Sequence, residues 1–357
     1  MIPSSIARRL LVLLLPLIAG CVSPPDPAPI IEPPSLGRGV IVVNEGLWRS
    51  DAATLTLHNP VTGETIQDWF GVSNPGLRLG DVANGIVIHQ GRAYVVVSTS
   101  RTVEVLDVVT GRSLGRIHLD EPNELRSVAV LDSAHAYTVS FGDSLFLFDP
   151  RTFTVTARTA VGPAPEWVEV AGGLVVVANS GLGTLRQTEP GAGTLYLLDP
   201  VTLHRVAEIA VGPNPRMVRL DQTSGLVYVL YGLPGQQGGV VEVNIAARAI
   251  TNRWTVLDAR DLALDSARRR AYVLAGAGVL RIPFDGTAPV LHIDSSAAGA
   301  GGFFYSIGVQ PSTGDIYLGT TRGYQPVAAT IQVYTLDGAY RTGFNCGVYP
   351  GDFGFRE

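Results

Sequence analysis

The residue types that most often do chemistry are few in this sequence, and they are scattered along it. No histidine stands in the His-x-x-x-His or Cys/His spacing that binds zinc. Acidic residues such as Asp143 are not followed by the regular series of oxygen ligands that a calcium loop needs. We therefore expect neither a metal site nor a bound cofactor. The histidines are His58, His89, His118, His135, His204 and His292.

One stretch, Gly111-Arg-Ser-Leu-Gly115, matches the Gly-x-Ser-x-Gly pattern of serine hydrolases. A nucleophilic serine of that kind needs a strand before it, a strained turn and a helix after it. Here the stretch lies in an ordinary turn between two β-runs, and no helical pattern follows. We interpret the match as coincidental, so the sequence supplies no catalytic residue.

The remaining candidates are polar and aromatic residues in loops, and a β-repeat decides where they lie. The stretch Val161–Val218 contains four short runs rich in Val, Leu or Ile, each bounded by turn-forming residues. Its opening phrase, Val-Gly-Pro-Ala-Pro, then returns as Val-Gly-Pro-Asn-Pro. Four antiparallel strands followed by a return to the start predict one blade of a β-propeller. The four runs are Glu166–Val170, Leu174–Asn179, Thr194–Leu198 and His204–Val211.

Seven copies of this unit follow one another, about forty to fifty residues apart, which is the period of a propeller. The tail from Gly347 to Phe355 matches the phrase before an innermost strand, and the first copy lacks such a strand. We therefore predict an all-β, seven-bladed propeller of four-stranded antiparallel blades over residues 39–357. The C-terminal strand should join the N-terminal blade and close the ring. The second strands begin near Val40, Ala93, His135, Leu174, Leu226, Ala271 and Asp315.

In such a ring, the loops that lead into the first strands share one face with the loops between second and third strands. That face surrounds the mouth of the central channel. Three of its loops are long, at residues 180–193, 232–239 and 319–329, and long loops in a repeat usually carry binding residues. We predict a ligand site on this face, formed by Asn44, Glu45, Trp48, Arg101, Trp167, Asn179, Arg216, Tyr231, Tyr305 and Tyr324.

Several of these residues also have a structural alternative. Trp167 suits packing between blades as well as ligand contact, and Asn44 and Glu45 suit the capping of a strand end. Asp81, on the same face, is expected to bond backbone amides at the start of its own strand. Arg216 is the favoured arginine because its inner-strand position faces the channel. Ligand contact is favoured for the aromatic residues of Gly-rich polar loops, Trp48, Tyr231 and Tyr324.

The first residues look like a targeting signal. Arg8 and Arg9 precede a short apolar run, Leu10–Ile18, which is shorter than the roughly 20 residues of a membrane span. The following Ile-Ala-Gly-Cys resembles a bacterial lipobox, which implies cleavage before Cys21 and lipidation of that residue. The alternative is an ordinary secreted protein. We predict a signal peptide at 1–20, a Pro-rich tether at 21–38, and an outer-membrane lipoprotein facing the periplasm or the exterior.

Composition agrees with a secreted β-rich domain. Hydrophobic residues make up 46% and charged residues 16%, which allows a large core, and 41 Gly and 24 Pro supply many turns. The net charge of −5 argues against a nucleic-acid partner. With Cys21 lipidated, Cys346 has no partner for an internal disulfide.

The repeat carries a family resemblance. Its Val-Gly-Pro-x-Pro phrases and Val-Tyr-Val strands resemble the YVTN-type seven-bladed propellers. The phrases Asn44–Trp48, Ala53–Leu57 and Leu79–Ala83 are similar to lipoprotein propellers of Bacteroidetes-type bacteria that carry a domain of unassigned function. Some members of that group bind cobalamin at the cell surface beside an outer-membrane transporter. The resemblance thus implies a corrinoid ligand and a transporter partner.

We therefore expect a lipid-anchored binding protein, not an enzyme, that holds a bulky small molecule or an acceptor protein at the loop face. One alternative is a propeller enzyme of the lactonase or quinone-dependent dehydrogenase type. Such an enzyme needs a metal or a cofactor-binding constellation in its channel. The other alternative is an envelope scaffold without a small ligand.

Overall fold

A computed structural model describes residues 37–323 and 325–357 of the chain. These residues form seven four-stranded antiparallel sheets, so the predicted seven-bladed propeller is confirmed. The predicted lipidation site Cys21 and the predicted ligand contact Tyr324 lie outside the described residues. No helix in the described ranges is long and apolar enough to cross a membrane.

Each blade is a meander in which the first strand in the chain lies innermost, except in the first blade. That blade contains β1 (Gly39–Asn44), β2 (Thr54–His58), β3 (Thr65–Ile66) and, innermost, the last strand of the chain, β28 (Pro350–Arg356). The second blade contains β4 (Ala83–His89), β5 (Arg92–Val97), β6 (Thr102–Asp107) and β7 (Ser113–His118). The third contains β8 (Leu125–Val130), β9 (Ala136–Ser140), β10 (Ser144–Asp149) and β11 (Thr154–Ala160).

The remaining four blades repeat the pattern. The fourth contains β12 (Pro165–Ala171), β13 (Leu174–Asn179), β14 (Thr194–Leu198) and β15 (Arg205–Ala210). The fifth contains β16 (Met217–Leu220), β17 (Val227–Tyr231), β18 (Gln237–Asn244) and β19 (Ala249–Leu257). The sixth contains β20 (Asp261–Asp265), β21 (Arg270–Ala275), β22 (Gly278–Pro283) and β23 (Val290–Asp294). The seventh contains β24 (Phe303–Val309), β25 (Ile316–Thr321), β26 (Thr330–Tyr334) and β27 (Tyr340–Asn345). Short helices occur at Trp69–Ser73 (α1), Ser266–Arg268 and Ser295–Ala298.

The C-terminal strand closes the ring, as the sequence predicts. Strand β28 pairs antiparallel with β1 over the whole length of β1, with Val40 opposite Phe355 and Val43 opposite Asp352. The tail also reaches the next blade, since the Asp352 carboxylate accepts a hydrogen bond from the Ile86 backbone N–H at 3.1 Å. Closure therefore covers the inner edge of β1, which would otherwise be open to pairing with another chain.

The core lies between the blades. Each junction between neighbouring blades of the described chain buries its own cluster of mostly Val, Leu, Ile and Ala side chains. The middle strands are buried on both faces, which explains why their sequences are nearly continuous apolar runs. The seven sheets and the seven apolar clusters lie within residues 37–357, so this part of the chain contains what the propeller needs to fold on its own.

Candidate functional site

The innermost strands surround a central channel, and one end of it forms a polar cavity of about 290 Å³, here called the channel mouth. It is built by one repeat position. In each blade, a phrase at the start of the innermost strand leads into the channel. The second residue of each phrase lines the cavity. The phrases begin at Ala83, Leu125, Pro165, Pro215, Ala259, Phe304 and Pro350. These lining residues are Asn84, Arg126, Glu166, Arg216, Arg260, Tyr305 and Gly351, and Glu45, Trp167, Met217 and Asp261 complete the lining.

Backbone bulges aim several of these side chains. The pairing of innermost and second strands slips by one residue at Asn84, at Glu166, at Tyr305 and at Gly351. An extra residue in one strand breaks the inward-outward alternation locally and redirects its side chain. A similar irregularity in the third blade spans Arg126. The bulges thus turn strand residues that would otherwise alternate between faces into lining of the mouth.

A second cavity of about 680 Å³ opens beside the mouth and is here called the side cavity. It shares Arg216, Arg260 and Tyr305 with the mouth, so the two cavities adjoin. Its other lining residues are Pro234, Gly235, Asp258, Phe303 and Phe304. The channel mouth and the side cavity together are here called the depression. It combines charged residues with an aromatic wall.

Two of the three arginines of the depression have acidic partners. Arg260 donates from Nε and Nη2 to Asp258 Oδ2, at 2.9 and 2.5 Å. Arg126 Nη2 lies 3.9 Å from Glu166 Oε2. Within each pair the two opposite charges cancel. The net charge of the depression therefore depends on the other charged groups that line it.

Two acidic groups of the mouth have raised pKa values. Burial raises the pKa of the Glu45 carboxyl to about 7, against the opposing effects of a hydrogen bond with Tyr305 and of the Arg126 charge. Burial likewise raises the pKa of Asp261 to about 6. The Asp261 carboxylate also accepts bonds from the backbone N–H groups of Leu262 at 2.7 Å and Ile307 at 2.8 Å. Near neutral pH, both groups carry less negative charge than exposed carboxylates would.

Below the mouth, Arg219 lies in the channel and contacts residues of two other blades. Its Nη2 lies 3.5 Å from Asp352 Oδ1, and its guanidinium lies 4.5 Å from the centre of the Trp167 ring. Burial raises the pKa of nearby Glu169 to about 7, while the Arg219 charge opposes that effect. Trp167 therefore packs on Arg219 and lines the mouth at the same time.

Of the residues predicted from the sequence, the structure brings four together at the mouth: Glu45, Trp167, Arg216 and Tyr305. Three others are buried at the last position of a second strand, at Asn44, Asn179 and Tyr231. Whether any of these residues contacts a ligand stays a prediction, but the buried three have packing roles that explain their identity.

The buried three each face a glycine of the repeated phrase. Asn179 donates to Thr194 Oγ1 at 3.2 Å, and a Cβ on Gly162 would lie 2.5 Å from its Cγ. A Cβ on Gly347 would likewise lie 2.7 Å from Asn44 Cγ. At Tyr231, the glycine is Gly212, whose φ of +131° also disfavours a side chain. These glycines therefore allow the loop before each innermost strand to pack closely on the second strand of the same blade.

The other predicted contacts lie outside both cavities. Trp48 is 61% exposed, with the Arg49 guanidinium 4.1 Å from its ring centre, and Arg101 is exposed in the turn after β5. The carboxylate of Asp81 does bond backbone amides, as expected. They are those of Arg49 at 2.8 Å and Ser50 at 3.4 Å, in the loop after β1, and not those of its own strand.

The Gly-x-Ser-x-Gly stretch is part of a sheet. Ser113 is the first residue of β7, a strand and not a helix, and its hydroxyl donates to Glu104. The described ranges also contain no group of three or more His, Cys, Asp or Glu side chains placed to hold a metal ion.

Sequence reasoning missed Arg126, Arg260 and Asp261 at the mouth. Their phrases lack the Gly-Pro signature that marks Glu166 and Arg216, although they occupy the same or the next repeat position. The shared position does not coincide with the strand starts, since β16 begins at Met217 and β20 at Asp261, so it is recognised only in the structure.

No protein-family model matches this chain, and no curated protein matches its sequence. Solved structures do match. One of them, Kuenenia stuttgartiensis hydrazine synthase, aligns with a TM-score of 0.59 over 76% of this chain and 88% of that chain, at 14% sequence identity. At this identity the likeness shows the fold alone.

Proposed function

We propose that this protein is a lipid-anchored binding protein of the cell envelope and that its ligand is a bulky small molecule held at the channel mouth. One observation carries the binding part of this proposal. The charged mouth and the aromatic side cavity adjoin and share Arg216, Arg260 and Tyr305. A concave apolar wall with a few convergent polar groups is the usual form of a small-molecule site.

The ring supports this role through rigidity. The mouth takes lining residues from all seven blades, and these residues lie within or directly beside paired strands. A site built on strands holds its groups in place before the ligand arrives, so less conformational entropy is lost on binding.

Anchoring is supported by the sequence. The basic residues, the short apolar run and the Ile-Ala-Gly-Cys motif ending at Cys21 are what lipoprotein processing requires. The Pro-rich residues 22–34 would then hold the propeller away from an outer membrane. An outer-membrane transporter is the proposed partner, on the basis of the resemblance.

A corrinoid is the proposed ligand on the same basis. Two of the phrases that carry the resemblance, Ala53–Leu57 and Leu79–Ala83, meet in the structure at the junction of the first two blades. The Ala53 backbone N–H donates to the Gly80 carbonyl at 3.0 Å there, beside the bonds of Asp81 to the loop after β1. Packing explains these phrases, so the corrinoid depends on the resemblance, whereas the location of the site depends on the geometry.

Calorimetry tests both parts. Cobalamin is titrated into residues 37–357 of the wild type and of two variants, Tyr305→Ala in the mouth and Trp48→Ala outside both cavities. We expect a dissociation constant near micromolar or tighter, about −8 kcal/mol. Tyr305→Ala should weaken binding at least about tenfold, and Trp48→Ala should leave it unchanged.

Two results would count against this proposal. If the folded wild type gives no heat at two temperatures, cobalamin is excluded as the ligand. If Trp48→Ala abolishes binding while Tyr305→Ala does not, the site lies at the loop after β1 and not at the mouth.

An enzyme remains the second candidate because of Glu45. A carboxyl whose pKa is about 7, placed in a cavity beside a tyrosine and an arginine, has the properties of a general acid–base group. Incubation with a bound ligand, followed by product analysis, separates the candidates. Turnover that is lost in Glu45→Gln while binding is kept would favour the enzyme, and an unchanged ligand would favour the binding protein.

A further inference from the structure

Arg216 differs from the other arginines of the depression. It faces both the channel mouth and the side cavity. Its Nη2 donates to the Ala259 carbonyl, and its Nε, like that of Arg126, is buried without a hydrogen-bond partner among the described residues. In those same residues, no carboxylate oxygen lies within the 4.0 Å of an ion pair, whereas Arg126 and Arg260 each have one.

The surroundings make this unpaired charge costly. Burial lowers the pKa of Arg216, and the more distant carboxylates of Glu166, Asp261 and Asp258 only partly oppose this effect. A desolvated guanidinium without an acidic partner is unfavourable unless another anion compensates for it. The position is also open, because the side cavity of about 680 Å³ adjoins it.

The charge balance of the depression indicates how much negative charge would fit. Glu166 and Asp258 neutralise Arg126 and Arg260, respectively. Glu45 and Asp261 are the remaining acidic groups of the mouth, and burial raises their pKa to about 7 and about 6, respectively. Near pH 5.5 both are therefore mostly protonated, and close to one positive charge is left at Arg216, whereas at pH 7 Asp261 is mostly ionised and offsets much of that charge.

The wall next to Arg216 is apolar. Phe303 and Phe304 line the side cavity together with Pro234, and the ring centres of Phe303 and Tyr305 lie 6.3 Å apart. Such a wall suits a planar or apolar group, and it leaves the charged end of a ligand to the arginine.

We propose that the ligand of the channel mouth carries a single negative charge, on a carboxylate or phosphodiester group, which pairs with Arg216 while an apolar body lies against Phe303. Both groups offer two oxygens to the two-donor edge of a guanidinium. This inference rests on the proposed function, since it names the class of ligand for the same site.

The experiment compares two small probes of nearly the same shape, cinnamate and its neutral amide, on residues 37–357 at about pH 5.5. Diphenyl phosphate serves as a second monoanion. The variants are Arg216→Gln, which removes the charge, Arg216→Lys, which keeps it, and Phe303→Ala, which shortens the wall. Arg205→Gln is the control, because Arg205 lies half-exposed on the outer strand β15 and pairs with Glu208. Melting curves show that each variant is folded.

We expect the wild type and Arg205→Gln to bind cinnamate at least about tenfold more tightly than cinnamamide, a difference of about 1.4 kcal/mol. Arg216→Gln should reduce that preference to near unity, and Arg216→Lys should keep part of it. Phe303→Ala should weaken both probes alike. Diphenyl phosphate should follow cinnamate in its dependence on Arg216, and dependence of cinnamate alone would narrow the class to carboxylates.

Equal binding of cinnamate and cinnamamide to both the wild type and Arg216→Gln would overturn the inference. The proposed function would survive that result if Phe303→Ala still weakened both probes. Failure of every probe to bind at ten millimolar would also overturn it, and the cobalamin titration would then judge the proposed function separately.

Discussion

Replacing Phe353 with Ala should destabilise the whole ring, although only four residues follow Phe353 in the sequence. The side chain is 7% exposed and belongs to the apolar cluster between the seventh and first blades. Its ring lies 6.3 Å from that of Tyr317 and 6.4 Å from that of Phe355. A Cβ on Gly308 would lie 2.8 Å from the ring, so the contact with the neighbouring strand is close.

The magnitude follows from that environment. Truncation of a buried Phe to Ala costs about 3–5 kcal/mol, through lost burial and the cavity left behind. Phe353 also borders a channel cavity of about 140 Å³, from which water can fill the vacated space. We therefore expect the lower part of the range, about 3–4 kcal/mol, which corresponds to a fall in melting temperature of roughly 6–8 °C in a domain of this size.

Urea unfolding and thermal melting of residues 37–357 measure this effect. The matched control is Tyr340→Ala, because Tyr340 is 61% exposed on the outermost strand of the seventh blade and should change stability by only about 0.5 kcal/mol. Deleting residues 352–357 should cost more than Phe353→Ala, since it also frees the edge of β1. A melting temperature that stays within 1–2 °C of the wild type in both tail variants, with roughly 2 °C expected per kcal/mol, would show that the C-terminal strand does not hold the ring closed.

Three further predictions concern other parts of the chain. Cys21→Ser should move the protein out of the detergent-soluble membrane lipoprotein fraction, and unchanged partitioning would contradict the anchor. Gly46→Ala should destabilise by more than about 1 kcal/mol in thermal melting, since φ is +75° and the new Cβ would lie 2.4 Å from the Ala52 carbonyl oxygen. Gly63→Ala, with a φ of +76° but open space around it, should cost less, and equal losses would refute the steric argument. Burial raises the pKa of Glu169 to about 7, so the folded state binds an extra proton between roughly pH 4.5 and 7. The free energy of unfolding therefore falls as pH rises through that window, with a slope of at most about 1.4 kcal/mol per pH unit for one group. Glu169→Gln should make this fall less steep.

The fold could be predicted because its signals are local and repeated. Runs such as Leu174–Asn179 and Thr194–Leu198 coincide with β13 and β14, since apolar content and flanking turn residues define a strand without knowledge of its partners. Closure by the tail was predictable for the same reason, because the tail from Gly347 to Phe355 repeats the phrase found earlier before an innermost strand.

The site was only half predictable because its geometry depends on partners distant in sequence. Asn179 and Tyr231 end their strands on the expected face, but both side chains are buried against glycines of the loops that precede the innermost strands. Arg126 reaches the mouth through an irregularity in strand pairing, which leaves no mark in the residues around it. That Arg216 is the unpaired cation follows only from the distances to its neighbours, which a single sequence does not contain.

The most direct measurement of the central claim observes Arg216 itself. In the ¹H–¹⁵N spectrum of arginine Nε groups, the Arg216 resonance is assigned by its absence from Arg216→Lys. On addition of cobalamin or of cinnamate, we expect this resonance to shift most, with smaller changes at Arg126 and Arg260 and none at Arg205. Calorimetric binding of either molecule with the Arg216 resonance unmoved would contradict the account, because the ligand would then lie away from the channel mouth.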